Sequence, residues 1–427
     1  ESVSELPATR SKKGIMYTYT ISTHAAAEAI CKEVRMSYTF KGYRRKNGGV
    51  GSRNLVAVIP SVICANDVAQ AIVRQVQGTI GYFHHQGCCQ LPLDLKRVTD
   101  VLSNLGQSAN IGAALIVSLG CEGTDHERIV REIAASGKPV EIIRIQELGG
   151  TSRAIQAGID AAQKLVMEIS GLQRETVDAS EIIMSIKCGA SDTTSGLASN
   201  AVIGYVADKL VDLGGTVIFG ETTEFLGGEH ILANRAVGGP DGPIGQKIYE
   251  IVNRMENRAK AVGEDMRGGQ PTPGNIEGGL SSIEEKSLGA IVKSGHRPIQ
   301  GVLEYCDRID GRKGLWIKDA PGREPEILTG MACTGAQVMM FSTGRGAPQG
   351  FPSMPVIKIC GNPNTYERMQ HDMDLNAGRI ILGEKSIEEV GEEAFDLLLK
   401  VLSGQMTKNE ALCYFGSMDI FCLGPVI

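Results

Sequence analysis

The chain has 427 residues, 42% of them hydrophobic and 22% charged, which is the composition of a globular protein too long for one ordinary core. A formal net charge of −6, with no basic block interleaved with aromatics, argues against a nucleic-acid surface. No apolar run reaches the roughly 18 residues of a membrane span, and with aromatics at 5% and a single tryptophan, Trp316, an aromatic-lined sugar-polymer groove is not expected.

The first helix-forming stretch is 24–35, within an N-terminal extension or linker over 1–39. Leu55 to Ile59 then reads as a continuous apolar strand, followed by a helix to Gln77, a helix over 93–106 and a strand from Ile111 to Leu119. A helix over 125–136, a strand from Val140 to Ile145 and a helix over 151–170 complete the first α/β domain, residues 40–175. A polar stretch over 171–180 separates it from a second, catalytic α/β region, residues 176–427. Here Glu181 to Ile186, Thr216 to Phe219, Gly314 to Lys318, Gln337 to Ser342 and Pro355 to Ile359 read as strands. Helices are expected over 201–213, 245–263 and 386–403, and the Gly/Pro-rich 264–282 reads as a functional loop. Alternating strands and helices predict an α/β fold of Rossmann-like parallel sheets covered on both faces, in two or three sub-domains.

Polar side chains gather where these strands end. His84, Cys88 and Cys89 lie in one such loop, Cys121 and Glu122 in another, Cys188 and Asp192 in a third. Each alone reads as a buried imidazole or thiol. Three together at strand ends, where α/β proteins build their sites, point to a divalent metal. Glu221, Glu224, Glu229 and His230 fall within ten residues that also hold Gly227 and Gly228, a combination suited to binding a cation or moving protons. A helix start near Ser282 and the nearby Lys286 offer positive charge to an anion, as do Arg53, beside Asn54 in a turn, and Arg345 after an apolar strand. No Gly-Lys-Ser/Thr ending supports a nucleotide loop. Eleven irregularly spaced cysteines without a CxxC predict reduced thiols in a cytoplasmic protein and no zinc ribbon.

From about Phe40 onward, ten ordered strings resemble the altronate/galactarate dehydratase family, which includes the large subunit of sulfolactate sulfo-lyase. They are GYRRKNGGVGSRN, HHQGC, SLGCEG, QELGGT, CGASD, GETTEFLGGEH, PTPGNIEGG, EEKSLGAI, FSTGRG and DMDLNAG. The chain departs from the family pattern at Cys89, at Ala190 where glycine is usual, and at Phe341-Ser342-Thr343. The resemblance implies a lyase that removes the C2 proton of a 2-hydroxy carboxylate and expels a group from C3, giving a 2-keto acid. It also implies a ferrous ion, with manganese as a substitute, and a small SAF-domain partner, as a separate subunit or an upstream domain, in an oligomer.

Residue type and strand-end position nominate His84, Cys88, Cys121, Glu122 and His230 as metal ligands, and Glu221, Glu224 and Lys286 as catalytic groups. Arg53, Asn54, Asp192, Asn275 and Arg345 are the expected substrate-binding residues. The string Pro60 to Asn66 looks more like the sulfolactate branch, so (2R)-3-sulfolactate cleavage to pyruvate and sulfite is the expected reaction. Sugar-acid dehydration is the alternative, and a non-catalytic hydroxy-acid-binding subunit is the alternative from another class.

Overall fold

A computed structural model of the protein describes residues 38–425 and 427; the helix expected over 24–35 lies outside them. Fourteen strands occur among the described residues. The first seven are β1 (Thr39–Arg44), β2 (Val50–Gly51), β3 (Leu55–Pro60), β4 (Thr79–Gly81), β5 (Ile111–Ser118), β6 (Val140–Arg144) and β7 (Glu175–Asp178). The rest are β8 (Ile183–Cys188), β9 (Thr216–Phe219), β10 (Ile299–Leu303), β11 (Gly314–Lys318), β12 (Val338–Thr343), β13 (Val356–Cys360) and β14 (Leu375–Asn376).

They form a four-stranded parallel sheet in order β4-β3-β5-β6, a seven-stranded parallel sheet in order β10-β11-β9-β8-β12-β13-β14, and a small antiparallel sheet, β2-β1-β7. Every residue of β5 is buried, as the apolar run Ile-Gly-Ala-Ala-Leu-Ile-Val requires of a central parallel strand covered on both faces. Its alternate residues serve different cores. Ala113, Leu115 and Val117 pack with Ile72 and Ala162 of helices Asn66–Gln75 and Thr151–Ser170. Ala114 and Ile116 pack with Leu102 and Ile133 of helices Pro92–Gln107 and His126–Ala135. That second core continues through Met331 of the helix Glu324–Thr334 to Ile218, Met339 and Phe341 of the seven-stranded sheet, so the two parallel sheets share buried apolar surface.

The expected long helices form, the later ones as Asn200–Asp212, Pro243–Ala261 and Ile387–Leu402. Residues 39–44, not expected as a strand, make β1, pairing with β7, which lies in the stretch expected to be polar and irregular. Both are short and half exposed, with no apolar run to announce them. The loop over 264–282 carries two short helices, Met266–Gly269 and Pro273–Glu277. Ser282 caps the helix Ile283–Ile291, its hydroxyl accepting from the Glu285 amide at 3.2 Å. No helix of the described residues is long and apolar enough to cross a membrane.

Candidate active site

Lys187 and Cys188 close β8, and the chain leaving the neighbouring β9 turns sharply at Gly220 and Glu221. A Cβ on Gly220 would meet the Lys318 carbonyl oxygen at 2.8 Å. Glu221 itself adopts φ of +71°, in the left-handed region that costs a non-glycine residue about 1–2 kcal/mol. The Thr222 amide donates to the Ala320 carbonyl at 2.9 Å and its hydroxyl to Asp319 at 2.6 Å, which hold the turn. The 3-10 turn Thr222–Phe225 then carries Glu224, and Lys293 arrives from the turn Val292–Ser294 beyond helix Ile283–Ile291.

These side chains meet in a buried cluster. Lys293 Nζ donates to Glu221 Oε2 at 2.5 Å, to Glu224 Oε2 at 2.7 Å and to Cys188 Sγ at 3.0 Å. Lys187 Nζ donates to Glu221 Oε1 at 2.7 Å, and the Cys188 amide to Glu221 Oε2 at 2.9 Å. The Cys188 thiol donates to Glu224 Oε2 at 2.9 Å. Two ammonium and two carboxylate groups therefore balance, the condition under which buried charge is tolerated. Burial would raise the Glu224 carboxyl, but Lys293, Lys286 and Lys187 outweigh it and hold its pKa at about 2. Burial and the Glu224 charge push Glu221 up, and the same two causes push the Cys188 thiol up.

The cluster opens into a cavity of about 470 Å³ whose lining includes Lys187, Cys188, Glu224, Asn275, Lys286 and Arg323. Both hydrogen bonds to Glu224 fall on Oε2, leaving Oε1 without a partner. Lys286 Nζ donates only to amide oxygens, Gln270 Oε1 at 2.8 Å and Asn275 Oδ1 at 3.2 Å. The cavity thus presents a carboxylate and an ammonium that no carboxylate pairs at hydrogen-bond distance.

Comparison with known proteins places the chain. Residues 42–170 match the family described as D-galactarate dehydratase/Altronate hydrolase, second domain, and residues 179–423 match D-galactarate/Altronate dehydratase, C-terminal. The chain belongs to the galactarate/altronate dehydratase family. It is 38% identical to a (2R)-sulfolactate sulfo-lyase subunit beta of Chromohalobacter salexigens, over 88% of this chain and 95% of that one. It is 32% identical to an altronate dehydratase of Bacillus subtilis, over 87% of this chain and 75% of the relative. Identity to a galactarate dehydratase (L-threo-forming) of Escherichia coli is 33%, over 91% and 77%. The relatives are named as lyases and dehydratases, and this member of the family is an enzyme of the lyase class.

In this galactarate/altronate dehydratase family member, Glu221, Glu224, Lys286 and Asn275 come together, while several other nominated residues do not. Arg53 is engaged within the protein. All five of its N–H groups are spent, on both Glu410 oxygens and on the carbonyls of Ser52, Val401 and Gln405. Asn54 is likewise engaged, accepting from Arg45 at 2.8 Å and donating to the Ile169 carbonyl at 2.9 Å. Asp192 is buried and accepts from Thr194, Ser195 and Asn362, which fixes its loop; it lines a separate cavity with Leu280 and Lys286. Arg345 pairs with Glu277 at 2.7 Å.

His84 has both ring nitrogens engaged within the protein: Nε2 donates to the Pro60 carbonyl at 2.8 Å and Nδ1 accepts from the Gln86 amide at 3.1 Å. Burial lowers its pKa to about 4, so the ring is neutral with both nitrogens used. Cys88, Cys121 and Glu122 lie at the carboxyl end of the four-stranded sheet. Glu122 is held there by the Ser61 hydroxyl at 2.5 Å and the Gly120 amide at 2.7 Å. His230 is exposed on helix Glu229–Asn234, on the other parallel sheet's side of the chain. Among the described residues, the group of three metal-ligating side chains with donor atoms within 4.8 Å of one another is Cys188, Glu221 and Glu224. Lys187 and Lys293 escape prediction because the adjoining strings CGASD and EEKSLGAI point to Cys188, Asp192 and Lys286 rather than to the lysines beside them. Lys187 lies between the buried Ile186 and Cys188, whereas Lys293 follows Val292, which is exposed.

Proposed function

We propose that the protein carries out β-elimination on a 2-hydroxy carboxylate to give a 2-keto acid, with (2R)-3-sulfolactate cleaved to pyruvate and sulfite. The observation that carries this reading is the pairing, in one cavity, of an ionised Glu224 with an open oxygen and a Lys286 ammonium bonded only to amides. Lys286 holds the substrate carboxylate. Glu224 Oε1 takes the C2 proton, the C–H electrons form the C2–C3 double bond, and the C3–S bond breaks with its electron pair leaving on sulfite. The enol then gains a proton at C3 and loses its C2 hydroxyl proton, which gives pyruvate. A carboxyl near pKa 2 is a weak base. Substrate carboxylate on Lys286 neutralises one of the three cations that hold Glu224 down, and so strengthens it as a base when substrate is present.

Cys188, Glu221 and Glu224, a thiol and two carboxylates, fit a ferrous or manganous ion in kind and spacing. Those three side chains would hold such an ion, and it would supply Lewis acidity toward charge on the deprotonated substrate. We read the two parallel sheets as Rossmann-like platforms, with the catalytic one the seven-stranded sheet. A small SAF-domain partner is supported by the relative named a subunit beta, which this chain covers over 95% of its length, against 75% and 77% for the dehydratases. A reducing, cytoplasmic setting is supported by the cysteines, since the ten in the described residues are all free thiols.

Dehydration of a sugar acid is the second reading, favoured by cavity size: about 470 Å³ is within the range that encloses ligands larger than a three-carbon acid. An anaerobic assay with ferrous ion separates the readings. Sulfite released from sulfolactate supports the first, and 2-keto acid formed from altronate or galactarate supports the second. No product from any of the three overturns both and leaves a hydroxy-acid-binding role.

A further inference from the structure

The second parallel sheet has its own crevice, away from the cluster of Cys188 and the glutamates. In the order β4-β3-β5-β6, the chain leaves β3 toward β4 on one side and crosses back to β5 on the other. The loops after β3 and β5 therefore flank a topological switch point, where open α/β sheets place their functional groups. The loop after β4 is bound to both, the Gln86 carbonyl accepting from the Ile63 amide and the Gly87 carbonyl from the Gly123 amide, each at 3.0 Å, and it carries Cys88 and Cys89 as adjacent exposed thiols with Sγ atoms 3.7 Å apart. Cys89 adopts φ of +52°, the left-handed region that disfavours a side chain, so the backbone is bent to hold the two thiols together.

The turn is fixed from several directions. The Gly87 amide donates to Gln90 Oε1 at 2.8 Å, the Gly123 amide to the Gly87 carbonyl at 3.0 Å, and the Ile427 amide to the Cys89 carbonyl at 2.9 Å. We propose that Cys88 and Cys89 are a redox modification site that closes reversibly to a vicinal disulfide. Hydrogen peroxide oxidises one thiol to a sulfenic acid with release of water. The other sulfur then displaces hydroxide from it, forming the S–S bond and a second water. Neighbouring Cα atoms across a trans peptide are about 3.8 Å apart, below the usual range of about 4.4–6.8 Å for a disulfide. The bond is therefore strained and readily reduced by thiols, as regulatory disulfides are.

A route to the cavity is present. Gln90 Nε2 donates to Gln86 Oε1 at 2.8 Å, and Gln86 Nε2 and His85 Nε2 reach the two oxygens of Asp419 at 3.5 and 3.3 Å. Asp419 also accepts from the Ile420 amide at 2.8 Å and lies 3.4 Å from Arg323, which lines the cavity. Closing the dithiol moves the start of this chain, so oxidation lowers turnover and a thiol reductant restores it.

The test treats the reduced full chain with hydrogen peroxide and maps its cysteines by mass spectrometry, a readout that needs no substrate. Expected is loss of two hydrogens in the peptide holding both Cys88 and Cys89, reversed by dithiothreitol. In C89A that loss is absent, and the activity of C89A resists peroxide under conditions that inactivate the wild type. Oxygen addition at Cys88 in place of hydrogen loss, or a disulfide mapping to other cysteines, would overturn the proposal. Equal inactivation of wild type and C89A would overturn the link to the cavity.

Discussion

Replacing Lys286 with methionine removes the cavity ammonium while keeping the length of the side chain. Two of its three N–H groups go to Gln270 and Asn275, so one is left for a substrate carboxylate. A hydrogen bond to a charged group is worth about 1.5–3 kcal/mol, and a factor of ten corresponds to about 1.4 kcal/mol. The kcat/KM of K286M should therefore fall roughly 10- to 150-fold. Stability should change little, because Lys286 has no carboxylate partner and is only half-buried. There is a second signature. Lys286 is one of three cations holding Glu224 low, so its removal raises the Glu224 pKa and moves the acid limb of the kcat/KM profile to higher pH. The assay is anaerobic turnover with ferrous ion across a pH series, with K286R as the partial rescue. If K286M kept both the wild-type kcat/KM and the wild-type acid limb, Lys286 would not be the anion anchor and the pairing with Glu224 would lose its meaning.

R53M should lose about 3 kcal/mol of stability in urea unfolding, from a bidentate, largely buried pair with Glu410, at unchanged KM. A raised KM at unchanged stability would return Arg53 to the substrate. His84 has a folded pKa of about 4 against 6.5 when unfolded. Its contribution is complete above pH 6.5 and is lost as pH falls toward 4, by about 3 kcal/mol, because only the unfolded chain takes up the proton in that window. The urea midpoint of wild type should therefore fall more steeply than that of H84N between those pH values; parallel curves would contradict the burial argument. C188S and E221Q should each weaken anaerobic Mn(II) binding more than about 100-fold, beyond the roughly 10–100-fold that loss of an outer contact costs, while H84N and C121A leave it unchanged. The opposite pattern would restore the donors that strand-end position alone suggested.

What the residues revealed in advance, and what they hid, follows from where each signal resides. The strands β3, β5, β8, β9, β11, β12 and β13 are visible because a parallel strand covered on both faces must be an unbroken apolar run. The three residues of β4 are too few to show a pattern. In β10, Gly301 interrupts the run because a Cβ there would meet the Trp316 ring at 2.4 Å, a constraint known only from the partner strand. Glu221 and Glu224 were legible as a site because carboxylates beside glycines at a strand end have little structural use. Lys293 was not, since a lysine after Ile291 and Val292 looks like the charged end of an amphipathic helix.

His84 misleads for a related reason: an imidazole beside a cysteine resembles a ligand pair, and nothing in the string says that the Pro60 carbonyl will take its proton. Sequence can show which side chains reach the ends of strands. Which of them meet is decided by the order of strands in the sheet. Because β8 and β9 are neighbours, Cys188 and Glu221 share a lysine. The loop after β4 carries His84 and Cys88 to the end of a different sheet, so those donors cannot complete that cluster however suitable their chemistry.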